Sequence, residues 1–317
     1  MILVLTNKLD VSADFVVREM QRRGQRYIRI NTEDLAERAC SCSLPQFTLQ
    51  IDDASKGRVD ISELKVVWYR RPGKPFEEVP AEQRPAPAIQ RFVAEQWATW
   101  LEALELAPNC QWVNSPEAGS RFENKIRQLR LAEEVGLSIP RTLVSNDPVA
   151  IRAFAAQGGS VVAKALFSPL LEGEQEDQFI FAEKLAERDL SDDAGLTSCP
   201  TIFQEAIAPK TDYRVTVVGW RLFAVRVLCP VGGSIDWRVH KESVTFEAVP
   251  LPQEVEAKCV EYVQRAGLVF GAIDLLERDG KWFFLEINPS GEWGWLQQPV
   301  GLPIAEALCD TFAELGG

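Results

Sequence analysis

The sequence predicts an α/β protein made of α+β lobes behind an amino-terminal βαβ segment. Three observations carry that prediction. Apolar strands flank an amphipathic helix over residues 2–30. Single strand patterns then alternate with helical ones through the middle of the chain. From Asp212 onward, strand patterns follow one another across short turns, as in an antiparallel sheet. At 317 residues the chain can form two or three lobes with cores of their own.

Ile2–Leu5 reads as a strand, Ser12–Arg23 as a helix stopped at Gly24, and Tyr27–Ile30 as a second strand. Met1–Asn7 is apolar but short and lacks a basic flank, so it is expected to be a first strand rather than a signal peptide. The link Thr6-Asn7-Lys8-Leu9-Asp10 has no glycine and makes a poor dinucleotide cradle. Phe47–Ile51 and Val66–Tyr69 are further strands. The second ends in Tyr69-Arg70-Arg71-Pro72-Gly73, a turn with two adjacent guanidinium groups. Solvated arginines and a carboxylate or phosphate clamp at a strand end fit that turn equally well.

A proline-rich loop leads into a helix at Ile89–Leu106. Its rows Phe92/Gln96/Trp100 and Val93/Trp97/Leu101 predict one buried face. Trp112–Pro116 is a short strand and linker, which gives domains at 1–115, 116–200 and 201–317. Arg121–Val135 is expected to be a helix ended by Gly136. A strand opens at Ile139, Val161–Lys164 is a strand ending in a lysine, and Thr201–Ile207 is apolar except for Gln204-Glu205. The antiparallel run is Arg214–Val218, a turn at Gly219, Leu222–Leu228, Asp236–Val239 and Val244–Ala248. The helix Glu254–Ala266 precedes the last hairpin.

That hairpin reads Gly271-Ala-Ile-Asp274-Leu-Leu, then Phe284-Leu-Glu286-Ile-Asn288-Pro. With a two-residue loop at Asp279-Gly280, Asp274 would oppose Leu285 and point away from Glu286. A three-residue loop, Asp279-Gly280-Lys281, pairs Asp274 with Glu286. It also gathers Ile273, Leu275, Phe283, Leu285 and Ile287 on the opposite, core face. The three-residue loop is therefore expected. Two carboxylates and an amide oxygen on adjacent strands are hard oxygen ligands on a rigid support, which suits Mg²⁺ beside a polyphosphate.

Composition removes several alternatives. A single histidine, His240, argues against Ser-His-Asp catalysis and histidine-rich metal sites. Seven cysteines without metal-like spacing are expected to be reduced thiols in a cytoplasmic protein. A net charge of −12 argues against a nucleic-acid partner, and no apolar run reaches the length of a membrane span.

The polar residues set inside otherwise apolar elements are Lys125, Lys164, Gln204-Glu205, Asp212, Arg214, Arg226, Asp274, Glu286 and Asn288. Two distant lysines and a carboxylate pair with an asparagine form an inventory for a nucleoside triphosphate. Lysines neutralise phosphates, backbone groups beside Glu205 can bond an adenine edge, and Mg²⁺ bridges the terminal phosphates. In this order, with Phe203-Gln-Glu-Ala-Ile207, Asp212-Tyr-Arg214 and Glu286-Ile-Asn288-Pro, the chain resembles the ATP-grasp superfamily. The resemblance implies that two α+β lobes sandwich ATP behind a βαβ domain. It implies that Lys125 and Lys164 contact phosphates, that Glu205 and the Ile207 backbone hold adenine, and that Asp274, Glu286 and Asn288 hold magnesium.

A narrower resemblance rests on Val67-Trp-Tyr-Arg-Arg-Pro72, Asp212–Gly219, Ser234-Ile-Asp-Trp-Arg238, Gly267–Asp274 and Glu286-Ile-Asn-Pro-Ser-Gly-Glu-Trp293. These segments are similar to the microviridin-type graspetide ligases, which join side chains of a ribosomal precursor peptide as ω-esters or ω-amides. The partner implied is such a precursor, with leader and core. The family leans towards homodimers, and the 89–106 helix would serve as core or as dimer surface. Arg214 is the first candidate to hold an acyl phosphate and Arg226 the second, with Lys164 stabilising the transferring oxygens. Asp212 would orient Arg214 or touch ribose. Asp236, Trp237 and Arg238, read as a β-hairpin, would meet the peptide, as would Arg70 and Arg71. The family's glycine-containing phosphate lid has no obvious counterpart, because Phe167–Asp177 holds one glycine and four acidic residues. A ligase that adds an amino acid to a protein terminus or small peptide, and a non-catalytic ATP- or peptide-binding scaffold, are the competing readings.

Overall fold

The computed structural model describes residues 1–45, 47–53, 57–107, 109–167, 170–171, 178–230, 235–240 and 242–317. At the amino terminus, four parallel strands run in the order Tyr27–Asn31, Ile2–Thr6, Val66–Tyr69 and Gln111–Val113. Ile2–Thr6 is buried along its whole length, as expected of an inner parallel strand covered on both faces. The helix Val11–Arg22 follows it, capped by the Asp10 carboxylate on Ala13 N–H. The carboxy-terminal helix Ile304–Gly316 returns to pack on this unit. One continuous core results, joining Val4, Trp68 and Met20 to Val218, Phe270, Leu308 and Phe312.

Beside a three-stranded antiparallel sheet of Cys40–Ser43, Thr48–Asp53 and Gly57–Asp60, two antiparallel sheets frame the rest of the chain. The smaller has the order Glu183–Lys184, Val161–Lys164, Thr201–Glu205, Thr142–Ser145, and a core of its own around Ile151, Phe154, Val161 and Phe203. The larger has the order Thr245–Ala248, Arg221–Leu228, Thr211–Val218, Phe270–Arg278, Lys281–Asn288. The helix Gln253–Arg265 covers it, burying Val255, Cys259, Tyr262 and Val263. No described helix is long and apolar enough to cross a membrane.

Four details differ from the sequence reading. The last hairpin turns through two residues, Asp279 and Gly280, both with positive φ (53° and 78°), and Arg278 pairs with Lys281. Asp274 nevertheless opposes Glu286, because a bulge absorbs one residue: Leu275 faces Phe284 while Asp274 faces Glu286. The expected pairing is present and the expected three-residue loop is not. The bulge also re-sorts the apolar residues. Phe284 joins Ile273, Leu275 and Ile287 in the main core, whereas Phe283 and Leu285 move to the other face beside Ile207 and Leu276.

The helix expected at 121–135 is broken. Pro116–Phe122 ends, and Lys125–Glu134 starts afresh with Asn124 Oδ1 accepting from Arg127 N–H. An asparagine cap is strong enough to interrupt a periodicity that runs straight through it. Trp237–His240 is a 3₁₀ turn rather than a strand. Along the helix Pro87–Glu102, Leu101 is buried and Trp97 and Trp100 pack half-buried on the amino-terminal core, while Phe92 is 61% exposed, so the predicted face is present only over its carboxy-terminal half. Within the acidic segment after Phe167, residues 168–169 and 172–177 lie outside the described residues.

Asn114 pins these units together. Its side chain accepts from Val269 and Phe270 N–H (2.7 and 3.0 Å) and donates to the carbonyls of Phe270 and Pro289 (2.8 and 2.9 Å). Replacing it with alanine strands four buried backbone groups. Asn114→Ala is expected to lower stability by about 3 kcal/mol or more, read as a shift of the urea midpoint at unchanged slope.

Candidate functional site

Two neighbouring cavities lie between the smaller and larger sheets. The first, ≈ 780 Å³, is lined by Val162, Ile207, Leu276 and Leu285 together with Gln204, Glu205 and the segment to Lys210. An apolar slot edged by one stretch of strand backbone suits a flat heteroaromatic ring. The second, ≈ 630 Å³, shares Lys164, Lys210, Asp212 and Trp237 with the first and is strongly charged. Arg71, Lys125, Arg214 and Arg238 face it as cations, and Glu123, Asp236, Asp274, Glu286 and Glu292 as carboxylates, with Asn288 at its edge.

The charges are arranged in pairs around the hairpin. Arg214 is the cross-strand neighbour of Asp274, and its Nη1 donates to Asp274 Oδ1 at 2.8 Å. Its Nε is buried without a hydrogen-bond partner among the described residues. Arg238 bridges the carboxylates, donating from Nη2 to Asp274 Oδ2 and, at 3.1 Å, to Glu286 Oε1. Lys125 begins its helix beside the strand end, 3.3 Å from Glu286 Oε2 and 3.2 Å from the Ala165 carbonyl. Burial alone would raise the Glu286 pKa. Lys125, Arg238 and Lys164 outweigh it and hold that carboxyl at about 2.

Lys164 shows the opposite balance. It ends its strand with Nζ on Gln204 Oε1 at 2.8 Å, a neutral partner. Burial drives its pKa down to about 8, against the pull of Glu286. Gln204 is itself buried and donates to Thr142 Oγ1 at 2.9 Å, so it aims the lysine. Asp212 is paired with Lys210 at 2.7 Å and does not touch Arg214's partner set, and burial pushes its carboxyl up despite that lysine.

The residues singled out from sequence therefore divide. Lys125, Lys164, Asp212, Arg214, Asp236, Trp237, Arg238, Asp274, Glu286, Asn288 and Arg71 line the charged cavity. Gln204, Glu205, Ile207 and Arg226 line the apolar one, where Arg226 pairs with Glu247 at 2.5 Å across the sheet edge. Arg226 is thus away from the carboxylate centre. Arg70 belongs to neither cavity. It is 1% exposed, 3.4 Å from Asp10 and 3.6 Å from Glu292, and it donates to the Ser290 carbonyl. That network holds it inside the fold and away from both cavities, with Nε and Nη2 left without a hydrogen-bond partner among the described residues. Trp237 packs against Phe246 and Trp295 instead of offering a strand edge.

Four residues at the site were missed. Lys210, two positions before Asp212, and Glu123, beside the helix break, carried no periodic signal. Glu292 sits inside a motif read for its other members. It accepts from Ser12 Oγ at 2.6 Å and pairs with Arg71, tying the amino-terminal unit to the cavity. Gln128 interrupts the core-facing row of its helix, and that interruption was the available signal.

No family model matches this sequence. In structure, the chain is similar to the macrocyclase MdnC from Microcystis aeruginosa, solved with the precursor peptide MdnA. The TM-score is 0.86, with 26% identity and 99% of each chain covered. A Chryseobacterium gregarium RiPP-associated ATP-grasp ligase, solved with ADP and a leader and core peptide, superposes at 0.85 with 24% identity over 99% of this chain and 96% of that one. The chain has the ATP-grasp fold. It resembles the microviridin-type peptide ligases along its whole length. In sequence, a probable alpha-L-glutamate ligase of Teredinibacter turnerae is 30% identical over 204 residues, or 62% of this chain. The chain spans 65% of that relative's length.

An anion bound beside Lys164 restores its ammonium form, because the opposite charge offsets the burial that lowers the pKa. Binding of tripolyphosphate at pH 8 is therefore expected to take up a fraction of a proton, with affinity falling as the pH rises above 8. Calorimetry in buffers of different ionisation enthalpy reads the uptake, and Lys164→Met is expected to abolish it.

Proposed function

We propose that this protein is an ATP-dependent ligase acting on a ribosomal precursor peptide. It activates Asp or Glu side-chain carboxylates as acyl phosphates and joins them to Ser or Thr hydroxyls or Lys amines, giving ω-ester or ω-amide crosslinks. The observation that carries this reading is the sharing of Lys164 and Lys210 between an apolar slot and a cavity ringed by cations and paired carboxylates. That layout suits a nucleotide whose base occupies the slot and whose phosphates reach Asp274 and Glu286. Likeness to the macrocyclase MdnC supports a peptide as the second substrate.

The donor set fits magnesium. Asp274, Glu286 and Asn288 present oxygen ligands from facing strands, and Mg²⁺ is usually held by one or two carboxylates plus substrate phosphates. The ion would supply charge neutralisation of the terminal phosphates. Asp274 and Glu286 would hold the ion with the oxygens that Arg238 now occupies, and Arg238 would then be free to meet the substrate carboxylate.

The chemistry then needs no protein nucleophile. A substrate carboxylate oxygen attacks the γ-phosphorus and ADP leaves, forming the acyl phosphate. The hydroxyl or amine attacks the acyl carbon, phosphate departs, and the nucleophile's proton leaves with it. Lys125 and Lys164 neutralise the transferring oxygens, while Arg214, held rigid by Asp274, stabilises the acyl phosphate. The adenine edge meets the backbone from Glu205 to Ile207. Arg71, half-exposed on the cavity wall, is the arginine of its pair left to meet the peptide.

The glutamate-ligase relative favours one second reading, in which an amino acid is added to a terminus or small peptide. One experiment separates the two. The pure protein is incubated with ATP, Mg²⁺ and the small peptide encoded beside its gene, and the peptide is weighed. Loss of one water per link supports crosslinking, and added amino-acid mass supports the second reading. An unchanged peptide alongside intact ATP binding discards that precursor.

Glu286→Gln keeps the side-chain shape and removes the charge that Lys125 and Arg238 surround. ATP turnover is expected to fall about 100-fold or more with the fold retained by circular dichroism. Near-wild-type turnover by the folded variant would sink the role given to Glu286.

A further inference from the structure

We propose that Gln128 is a positioning residue, whose buried amide fixes the strand bearing Glu286 and Asn288 against the helix bearing Lys125. The inference rests on the nucleotide and magnesium reading above. Gln128 is 2% exposed. Its Nε2 donates to the Ile287 carbonyl at 2.9 Å, and its Oε1 accepts from Ile287 N–H at 3.1 Å. The same Nε2 donates to the Phe122 carbonyl, and the Gln128 carbonyl accepts from Tyr262 Oη at 3.1 Å.

Ile287 stands between Glu286 and Asn288 on the edge strand of the larger sheet. Among the described residues no strand pairs with its outward N–H and C=O. The primary amide offers a donor and an acceptor side by side, so it replaces that strand for one residue. The place matters because the bulge has interrupted the inner ladder at Leu285, just before Glu286. The path of the two ligand-bearing residues is therefore held from outside as well as from inside.

Lys125 lies one turn before Gln128 on the same helix face and reaches Glu286 Oε2 at 3.3 Å. The helix and strand thus meet twice, once through a neutral buried amide and once through an ion pair at the cavity. Without the amide, water or a shifted helix must satisfy the Ile287 groups, and the spacing of Lys125, Glu286 and Asn288 changes with them. Displacements of about 1 Å in such a constellation cost about 100-fold in rate.

The test uses the full chain with Gln128→Met, which keeps length and volume and removes the hydrogen bonds. ADP binding is followed by calorimetry with and without Mg²⁺, and ATP turnover is measured with the peptide. The Mg²⁺ half-saturation point is expected to rise about tenfold and turnover to fall about 10- to 100-fold, while metal-free ADP affinity stays within about twofold because the apolar slot is untouched. Combined with Lys125→Met, the losses are expected to multiply to less than their product, since one residue acts through the other. An unchanged Mg²⁺ half-saturation, or fully multiplicative losses, would overturn the proposal. Gln128→Glu is the second variant. It keeps the acceptor for Ile287 N–H and turns a carboxylate oxygen towards two carbonyls, so it is expected to show the same Mg²⁺ defect. Failure of both variants to fold would assign Gln128 to stability alone. A wild-type protein with no Mg²⁺-dependent nucleotide binding would instead refute the underlying functional reading.

Discussion

The alternation of side chains along a strand leaves no freedom at the last hairpin. Asp274 and Glu286 share a face only if the chain contains one residue more than a plain two-residue turn supplies. That residue is Leu285, taken up as a bulge within the strand instead of at its tip. The charges gathered at the hairpin depend on it. Arg214 answers Asp274 from one side, Arg238 spans both carboxylates, and Lys125 answers Glu286 from the helix. The same bulge sends Phe283 and Leu285 towards Ile207 and Leu276, so one irregularity serves the apolar slot and the charged cavity together.

The electrostatics run against the bulk of the molecule. A chain of net charge −12 concentrates Arg71, Lys125, Lys164, Lys210, Arg214 and Arg238 around one cavity. Most of these cations are matched by carboxylates, as groups with little access to water must be. Lys164 is the exception, since its partner is the neutral amide of Gln204. Among the described residues no carboxylate pairs directly with it, and Glu286 acts on it only across the cavity.

Much of this was legible from residues alone, and the reason is periodicity. Strands such as Val161–Lys164 and Phe270–Arg278 state their burial in sequence, and a lysine or aspartate inside one stands out. The pairing of Asp274 with Glu286 was inferred correctly from a wrong turn, because parity constrains the sum of loop and bulge and not where the extra residue goes. What escaped depends on tertiary neighbours. Asn114 and Gln128 look like ordinary polar residues until Phe270, Pro289 and Ile287 are placed around them. Arg70 reads like its neighbour Arg71, yet Asp10 and Glu292 draw it inside. The break before Lys125 was written in Asn124, but helical periodicity outvoted the cap.

The parallel unit and the larger sheet share one hydrophobic interior. The smaller sheet has a separate interior around Ile151 and Phe203. The two are joined by an apolar seam of Ile207 with Leu276 and Phe283, by Lys125 at the Ala165 carbonyl, and by the bridge of Ser138 with Phe283. Lys164 and Glu286 thus stand on elements with different interiors, and the cavities lie along the seam that joins them.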